Sequence, residues 1–146
     1  ILYLQKAHDS KLSVFEVELL LGHLLIKKKH YELAMPHLEK ASRINPKSGL
    51  TFRMKGEIYL KENLPEKAGL EFNTAIKLNP GDASSLYGYA KSLELQGKNL
   101  NIALTLAKKS ISLEPDNKKF KKRLITIQTK INDACLSPQK ELKQQH

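Results

Sequence analysis

The side chains in this sequence best suited to metal or acid–base chemistry are five histidines and one cysteine, Cys135. A zinc site needs three or four such ligands on one surface, as when two histidines lie four residues apart on a helix. The nearest approach to such a pattern is the seven-residue spacing of His23, His30 and His37, and no thiolate or carboxylate joins them at a ligand spacing. The sequence therefore predicts no metal site and no cofactor.

The sequence also gives little sign of nucleophilic or phosphate chemistry. His8, Asp9 and Ser10 have the residue types of a hydrolase triad, but adjacent residues cannot converge as nucleophile, base and orienting acid. No glycine-rich loop of the G-x-x-x-x-G-K-S/T or G-x-G-x-x-G type is present. We therefore predict that this chain is not an enzyme.

A strongly basic stretch lies near the C-terminal end. The formal net charge is +10, and residues 118–146 carry +6 of it, from eight basic and two acidic residues. Within it, the basic patch consists of Lys118, Lys121, Lys122 and Arg123. Such a patch can bind the phosphates of nucleic acid or an anionic membrane. Because Phe120 belongs to an apolar stripe and no aromatic platform is interleaved, we prefer a solvated helix face whose charge is favourable near a helix end.

The elements that must position these side chains recur at a fixed period. Proline follows a short polar residue or a glutamate at Pro46, Pro80 and Pro115, with spacings of 34 and 35 residues. Three columns of small residues keep the same register: Gly22, Gly56 and Ala90; Ala34, Ala68 and Ala103; and Ala41, Ala75 and Ser110. Several columns with one period indicate stacked units, each of which needs its neighbours to bury its apolar side.

Each unit is predicted to form two helices. In the middle unit one stripe at helical spacing runs from Phe52 to Tyr59, and a second runs from Ala68 to Leu78. Pro65 suits the start of the second helix, where its missing N–H costs nothing. Small residues within both helices allow the two backbones to approach closely.

This pattern resembles the tetratricopeptide repeat family, in which each unit has a small residue eighth, alanine twentieth and twenty-seventh, and proline thirty-second. The resemblance implies an all-α fold, a right-handed α-solenoid of antiparallel helix pairs with a C-terminal capping helix. The predicted divisions are 1–14 as the second helix of a truncated preceding repeat, 15–48, 49–82 and 83–117 as full repeats, 118–136 as the capping helix, and 137–146 as a flexible tail. The third repeat has one extra residue, in its turn.

In this family the first helices of successive units line a concave groove, so the resemblance implies that their exposed positions contact a partner. The residues that we select there are Leu19, His23, Lys27, Arg53, Glu57, Lys61, Tyr87 and Lys91. Further groove positions hold Glu16, Ile26, Leu50, Leu60, Ser84, Glu94 and Leu95. Arginine and tyrosine are frequent in binding hot spots. We therefore predict a scaffold or adaptor that binds a protein or peptide ligand in the groove.

One ligand class of the family can be compared with the sequence directly. Members that grip the acidic C-terminal tails of cytosolic chaperones use Lys, Asn and Arg at five groove positions. The corresponding positions here are Leu19, His23, Met54, Tyr87 and Lys91. Only Lys91 keeps the positive charge, so the sequence does not favour a chaperone tail as the partner.

The N-terminal end supports two further predictions. The chain begins at Ile1 rather than at methionine, so we interpret it as a piece of a longer protein. We expect this piece to be soluble because no apolar run is long enough to cross a bilayer. The sequence does not name the compartment, which could be the cytoplasm or the periplasm. Ile1 and Leu4 would lie exposed on a helix that has lost its partner, and a second copy of the chain could cover them to form a homo-oligomer.

Overall fold

The computed structural model describes residues 12–143, with side chains described over 12–136. In this part of the chain there are seven α-helices and no strand. The helices are α1 (Val14–Lys27), α2 (Tyr31–Ile44), α3 (Gly49–Lys61), α4 (Pro65–Leu78), α5 (Ala83–Gln96), α6 (Leu100–Leu113) and α7 (Lys118–Lys143). The predicted preceding helix lies outside the described residues except for its last positions, as do the apolar side chains expected to support self-association.

The helices pack in the order in which they occur along the chain. The pairs α1–α2, α3–α4 and α5–α6 form the three units, and α2–α3 and α4–α5 join one unit to the next. The last helix, α7, packs on α6 and also touches α5. The predicted all-α solenoid is therefore confirmed.

Local sequence signals fix where several helices begin. Ser13 and Glu16 form a reciprocal cap on α1, in which the Ser13 amide donates to Glu16 Oε2 over 2.7 Å and the Glu16 amide donates to Ser13 Oγ over 3.3 Å. Pro65 occupies the first position of α4. Asp82 caps α5 by accepting a hydrogen bond from the Ser84 amide. The caps at Ser13 and Asp82 thus fix where the first helices of the first and third units begin, and these helices carry groove residues.

The turn inside each unit contains a left-handed residue, and all three turns have three residues: 28–30, 62–64 and 97–99. In the first two units the left-handed residue is in the middle of the turn, Lys29 at φ 63° and Asn63 at φ 59°. In the third unit the first and last residues of the turn are left-handed, Gly97 at φ 64° and Asn99 at φ 51°. The turn of the third unit therefore has a different backbone form, and α5 before it has 14 residues where α3 has 13.

The centre of the domain is built around Phe72, which is 1% exposed. A Cβ atom added to Gly56 of α3 would lie 3.0 Å from the Phe72 ring, and one added to Gly88 of α5 would overlap with the same ring. Phe72 therefore fills the space between the first helices of two successive units. Leu38 meets Gly22 at the equivalent place in the first unit.

The capping helix is longer than predicted. Ser137 and Pro138 were expected to end it, but α7 continues to Lys143. A proline removes its own N–H donor, and the hydrogen bonds on either side of that position can still form. The predicted flexible tail, residues 137–146, is thus helical as far as residue 143.

Candidate functional site

A pocket of about 250 Å³, here called the groove pocket, lies where the first helices of the second and third units meet α7. Side chains from predicted groove positions of all three units line it: Ile26, Glu57, Leu60, Lys61, Ser84, Tyr87 and Lys91. Phe72 and Gly88 also line the pocket, and α7 adds Lys119 and Phe120. The stacking of units thus brings together residues that are far apart in sequence.

Three lysines around the groove pocket form no salt bridge with a described carboxylate. Among the described side chains, no carboxylate oxygen lies within 4.0 Å of the ammonium nitrogen of Lys61, Lys91 or Lys119. Burial lowers the pKa of the Lys91 ammonium, and the positive charges of Arg123, Lys61 and Lys119 lower it further, although Tyr87 opposes them. The pocket therefore presents concentrated positive charge to a ligand.

Glu57 introduces one negative charge into this wall. Its side chain is 43% exposed, and the Arg53 guanidinium lies 3.8 Å away. Partial burial raises the pKa of the Glu57 carboxyl above 4.5, while the charges of Arg53 and Lys119 act in the opposite direction. Because the pKa is higher in the folded state, stability falls as the pH rises through that raised value. The ionised carboxylate is thus an unfavourable charge at neutral pH.

Tyr87 is the residue whose surroundings differ most from the prediction. It is only 7% exposed and stacks on Phe120 of α7, with ring centroids 4.9 Å apart and an interplanar angle of 21°. The Lys119 ammonium lies 4.8 Å from the centre of the Tyr87 ring. The capping helix therefore covers much of Tyr87, which was expected to be exposed, and only part of it faces the groove pocket.

Glu94 does not face the groove, which corrects the prediction for this position. It is 3% exposed, and its carboxylate accepts from Arg123 and Lys130 of α7. A carboxylate this deeply buried needs such partners. Arg123 is consequently engaged with Glu94, so this member of the basic patch is not available to a phosphate.

The remaining predicted groove residues lie outside the groove pocket. Leu19 is partly buried against the cluster that contains Ala34 and Leu38. His23 and Lys27 are exposed on α1. Arg53 is engaged by carboxylates, with its Nε 3.4 Å from Asp82 and its terminal nitrogen near Glu57.

Four residues of the pocket are not among the predicted groove positions: Phe72, Gly88, Lys119 and Phe120. Phe120 had been assigned to the apolar stripe of the capping helix, and its burial at 3% exposure agrees with that. The apolar stripe of the capping helix predicts that α7 docks on the repeats. It does not predict the direction of the Lys119 side chain next to Phe120. Lys119 joins the site because it precedes the docked Phe120.

The lysines of the basic patch lie at the N-terminal end of α7, whereas the helix dipole favours cations at the C-terminal end. Lys118, Lys121 and Lys122 are exposed in the first turns of α7. The N-terminal end of a helix carries partial positive charge, so cations are disfavoured there. The expectation of a favourable helix-end charge was therefore wrong for this patch.

The described part of the chain offers neither a metal site nor a membrane-spanning helix. In residues 12–136, no group of three or more His, Cys, Asp or Glu side chains could hold a metal ion. None of the described helices combines the length and apolar character required to span a bilayer.

Comparison with known proteins identifies the repeats. Residues 19–48 and 54–82 each match the family model of the tetratricopeptide repeat. A curated relative, protein O-mannosyl-transferase TMTC1 of Homo sapiens, is 27% identical over 112 residues. The match covers 74% of this chain but 13% of that protein, so the chain spans a small part of the relative's length.

Solved structures share the fold. The first TPR domain of Spaghetti (RPAP3), bound to the HSP90 peptide SRMEEVD, matches with a TM-score of 0.77 at 18% identity, over 81% of this chain and 93% of that one. The TPR2B domain of yeast Sti1, in complex with pHsp70, matches with a TM-score of 0.72 at 13% identity, over 80% and 97%. Two consecutive units of this chain, residues 19–48 and 54–82, are thus tetratricopeptide repeats, and the described helices have the same fold as these domains.

Proposed function

We propose that this chain is a non-enzymatic scaffold that binds an acidic segment of a partner protein in its groove pocket. The observation that carries the proposal is the set of three lysines that surround the pocket, Lys61, Lys91 and Lys119, none of which has a carboxylate oxygen of residues 12–136 within 4.0 Å. They come from the second unit, the third unit and the capping helix. A carboxylate of the ligand would supply the missing countercharge.

The apolar part of the pocket gives the ligand a second kind of contact. Leu60, Ile26 and the aromatic pair of Tyr87 and Phe120 line the same space as the lysines. An apolar side chain next to an acidic one in the ligand would fit this mixed wall. Because the repeats hold these groups in place before binding, the groove loses little conformational entropy when the ligand enters.

Relatives of the same fold give independent support for a peptide ligand. The RPAP3 domain binds the HSP90 peptide SRMEEVD, which carries three acidic side chains. This chain shares only Lys91 with the positions that grip chaperone tails in the family. We therefore propose a different acidic ligand, held by lysines at other positions of the groove.

Removing the charge of Lys61 and Lys91 should weaken an acidic ligand selectively. We expect the double variant Lys61→Gln, Lys91→Gln to bind a labelled peptide of alternating Glu and Leu roughly tenfold more weakly, because both lysines would contribute directly. Fluorescence anisotropy measures the affinity. The control is Lys77→Gln with Lys109→Gln, which removes the same charge from exposed positions on second helices. Equal weakening in both variants would mean non-specific attraction and would contradict the proposal.

A third variant in the same assay should have the opposite effect. Glu57→Gln removes the carboxylate that repels an acidic ligand and whose pKa is raised by burial. We expect it to bind the peptide more tightly without loss of helicity. Weaker binding by this variant would indicate that the ligand contacts Glu57 with a donor instead.

A further inference from the structure

A second hollow of about 210 Å³ adjoins the groove pocket on the side of α7. It is lined by Lys122, Arg123 and Thr126, and it shares Tyr87 and Lys119 with the groove pocket. Because the same two side chains line both spaces, the two hollows are direct neighbours. We call the second hollow the helix pocket.

The charge of the helix pocket comes from its lysines. Lys119 and Lys122 are exposed, and no described carboxylate oxygen lies within 4.0 Å of either ammonium group. Arg123, by contrast, is neutralised by Glu94. Lys119 stands over the Tyr87 ring, at the border between the two pockets. Lysines thus lie on both sides of this border, in the groove pocket and on α7.

The position of these lysines costs stability. They lie in the first turns of α7, where the helix dipole repels cations, and the first turn holds no acidic residue. The Asn117 side chain caps this helix start by accepting from the Lys119 and Phe120 amides, and Glu114 and Asp116 lie just before it, so the repulsion is reduced but not removed. A ligand with a negative group at this place would interact favourably with the lysines and with the helix dipole. The charge is therefore better explained by a ligand than by the fold.

We infer that the bound segment does not end in the groove pocket but crosses Tyr87 and Lys119 and places a second acidic group beside Lys122. The inference rests on the proposed function and adds to it that the ligand has two acidic groups separated along an extended chain. It also gives the basic patch the same protein ligand as the groove. A nucleic acid fits less well, because Phe120 and Lys119 already pack on the Tyr87 ring and leave no free aromatic platform for a base.

The test compares two labelled peptides on the full chain by fluorescence anisotropy. One peptide carries a single acidic and apolar motif, and the other carries the same motif followed by a Gly-Ser spacer and a second acidic group, with several spacer lengths. We expect Lys122→Gln to weaken the two-group peptide by roughly tenfold at the best spacer and to leave the single-group peptide unchanged. Lys109→Gln, an exposed lysine on α6, is the matched control.

Each outcome decides the inference. The inference is wrong if the second acidic group adds no affinity at any spacer length, or if Lys122→Gln and Lys109→Gln have equal effects. In either case the proposed function still holds if binding of the single-group peptide depends on Lys91. If neither peptide binds, both fail. Single-stranded DNA and phosphatidylserine vesicles are tested in the same way. If either binds through Lys122 and the two-group peptide does not, the basic patch belongs to that partner and the inference is overturned.

Discussion

Replacement of Phe72 by alanine is expected to lower the free energy of unfolding by about 3–5 kcal/mol, the range for removing a large, fully buried side chain. The ring lies between Gly56 and Gly88, and it is 1% exposed. Its loss leaves a cavity at the junction of the second and third units. Urea unfolding followed by far-ultraviolet circular dichroism measures the change.

The matched control for this prediction is Leu70→Ala on the same helix. Leu70 is 70% exposed, so its replacement should change the stability by less than about 0.5 kcal/mol. A similar loss in both variants would show that α4 is sensitive to any truncation. A loss below about 1 kcal/mol for Phe72→Ala would contradict the packing of the two units around this ring.

Replacement of Glu94 by glutamine is expected to loosen α7 before the rest of the domain. The carboxylate binds Arg123 and Lys130, which both lie on α7, and its own exposure is 3%. Removing the charge leaves two cations without their partner, at a cost of about 2 kcal/mol, because both can still reach water in part. Since repeat units are stabilised mainly by their neighbours, this loss should be concentrated at the end of the array.

Hydrogen exchange resolves this effect by position. We expect the amides of α7 to exchange faster in Glu94→Gln, while those of α3 and α4 change little. Glu39→Gln, which removes an exposed carboxylate from α2, should leave exchange in α7 unaltered. Unchanged exchange in α7 of the Glu94 variant would mean that the apolar contacts of Phe120 and Ile127 alone hold the helix in place.

The repeat architecture could be predicted from the sequence because its determinants are local and recur. Gly56 and Ala68 mark places where two helices of one unit touch, and their spacing is repeated in the neighbouring units. The structure adds that Phe72 reaches both Gly56 and Gly88, one in its own unit and one in the next. The repeated spacing of these small residues therefore predicts both the pairing of two helices within a unit and the stacking of one unit on the next.

The surroundings of the third unit could not be predicted in the same way. The prediction of groove residues from repeat position assumed that the first helix of every unit faces solvent. Under that assumption Tyr87 and Glu94 would be exposed. In the structure α7 docks there, so that Phe120 stacks on Tyr87 and Arg123 reaches Glu94. This docking depends on a tertiary fit at the end of the array, and no repeated spacing in the sequence encodes it.

Groove positions in the first unit illustrate a second limit of the pattern. Leu19 stands at the same position in its unit as Tyr87, yet it packs into the core cluster of the first two units. Glu18 beside it is buried, where it accepts from His37 and Lys40 at 2.7 and 2.5 Å. The side chain at a given position in the repeat follows its own neighbours, so repeat position alone does not establish exposure.

The most direct test of the central claim is to map the bound acidic peptide by amide NMR chemical shifts on the nitrogen-labelled chain. Binding in the groove pocket predicts that the largest shift changes lie at Leu60, Lys61 and Lys91, with small changes at Leu70 and Lys109 on second helices. Saturable binding with its largest changes on α2, α4 and α6 would contradict the account.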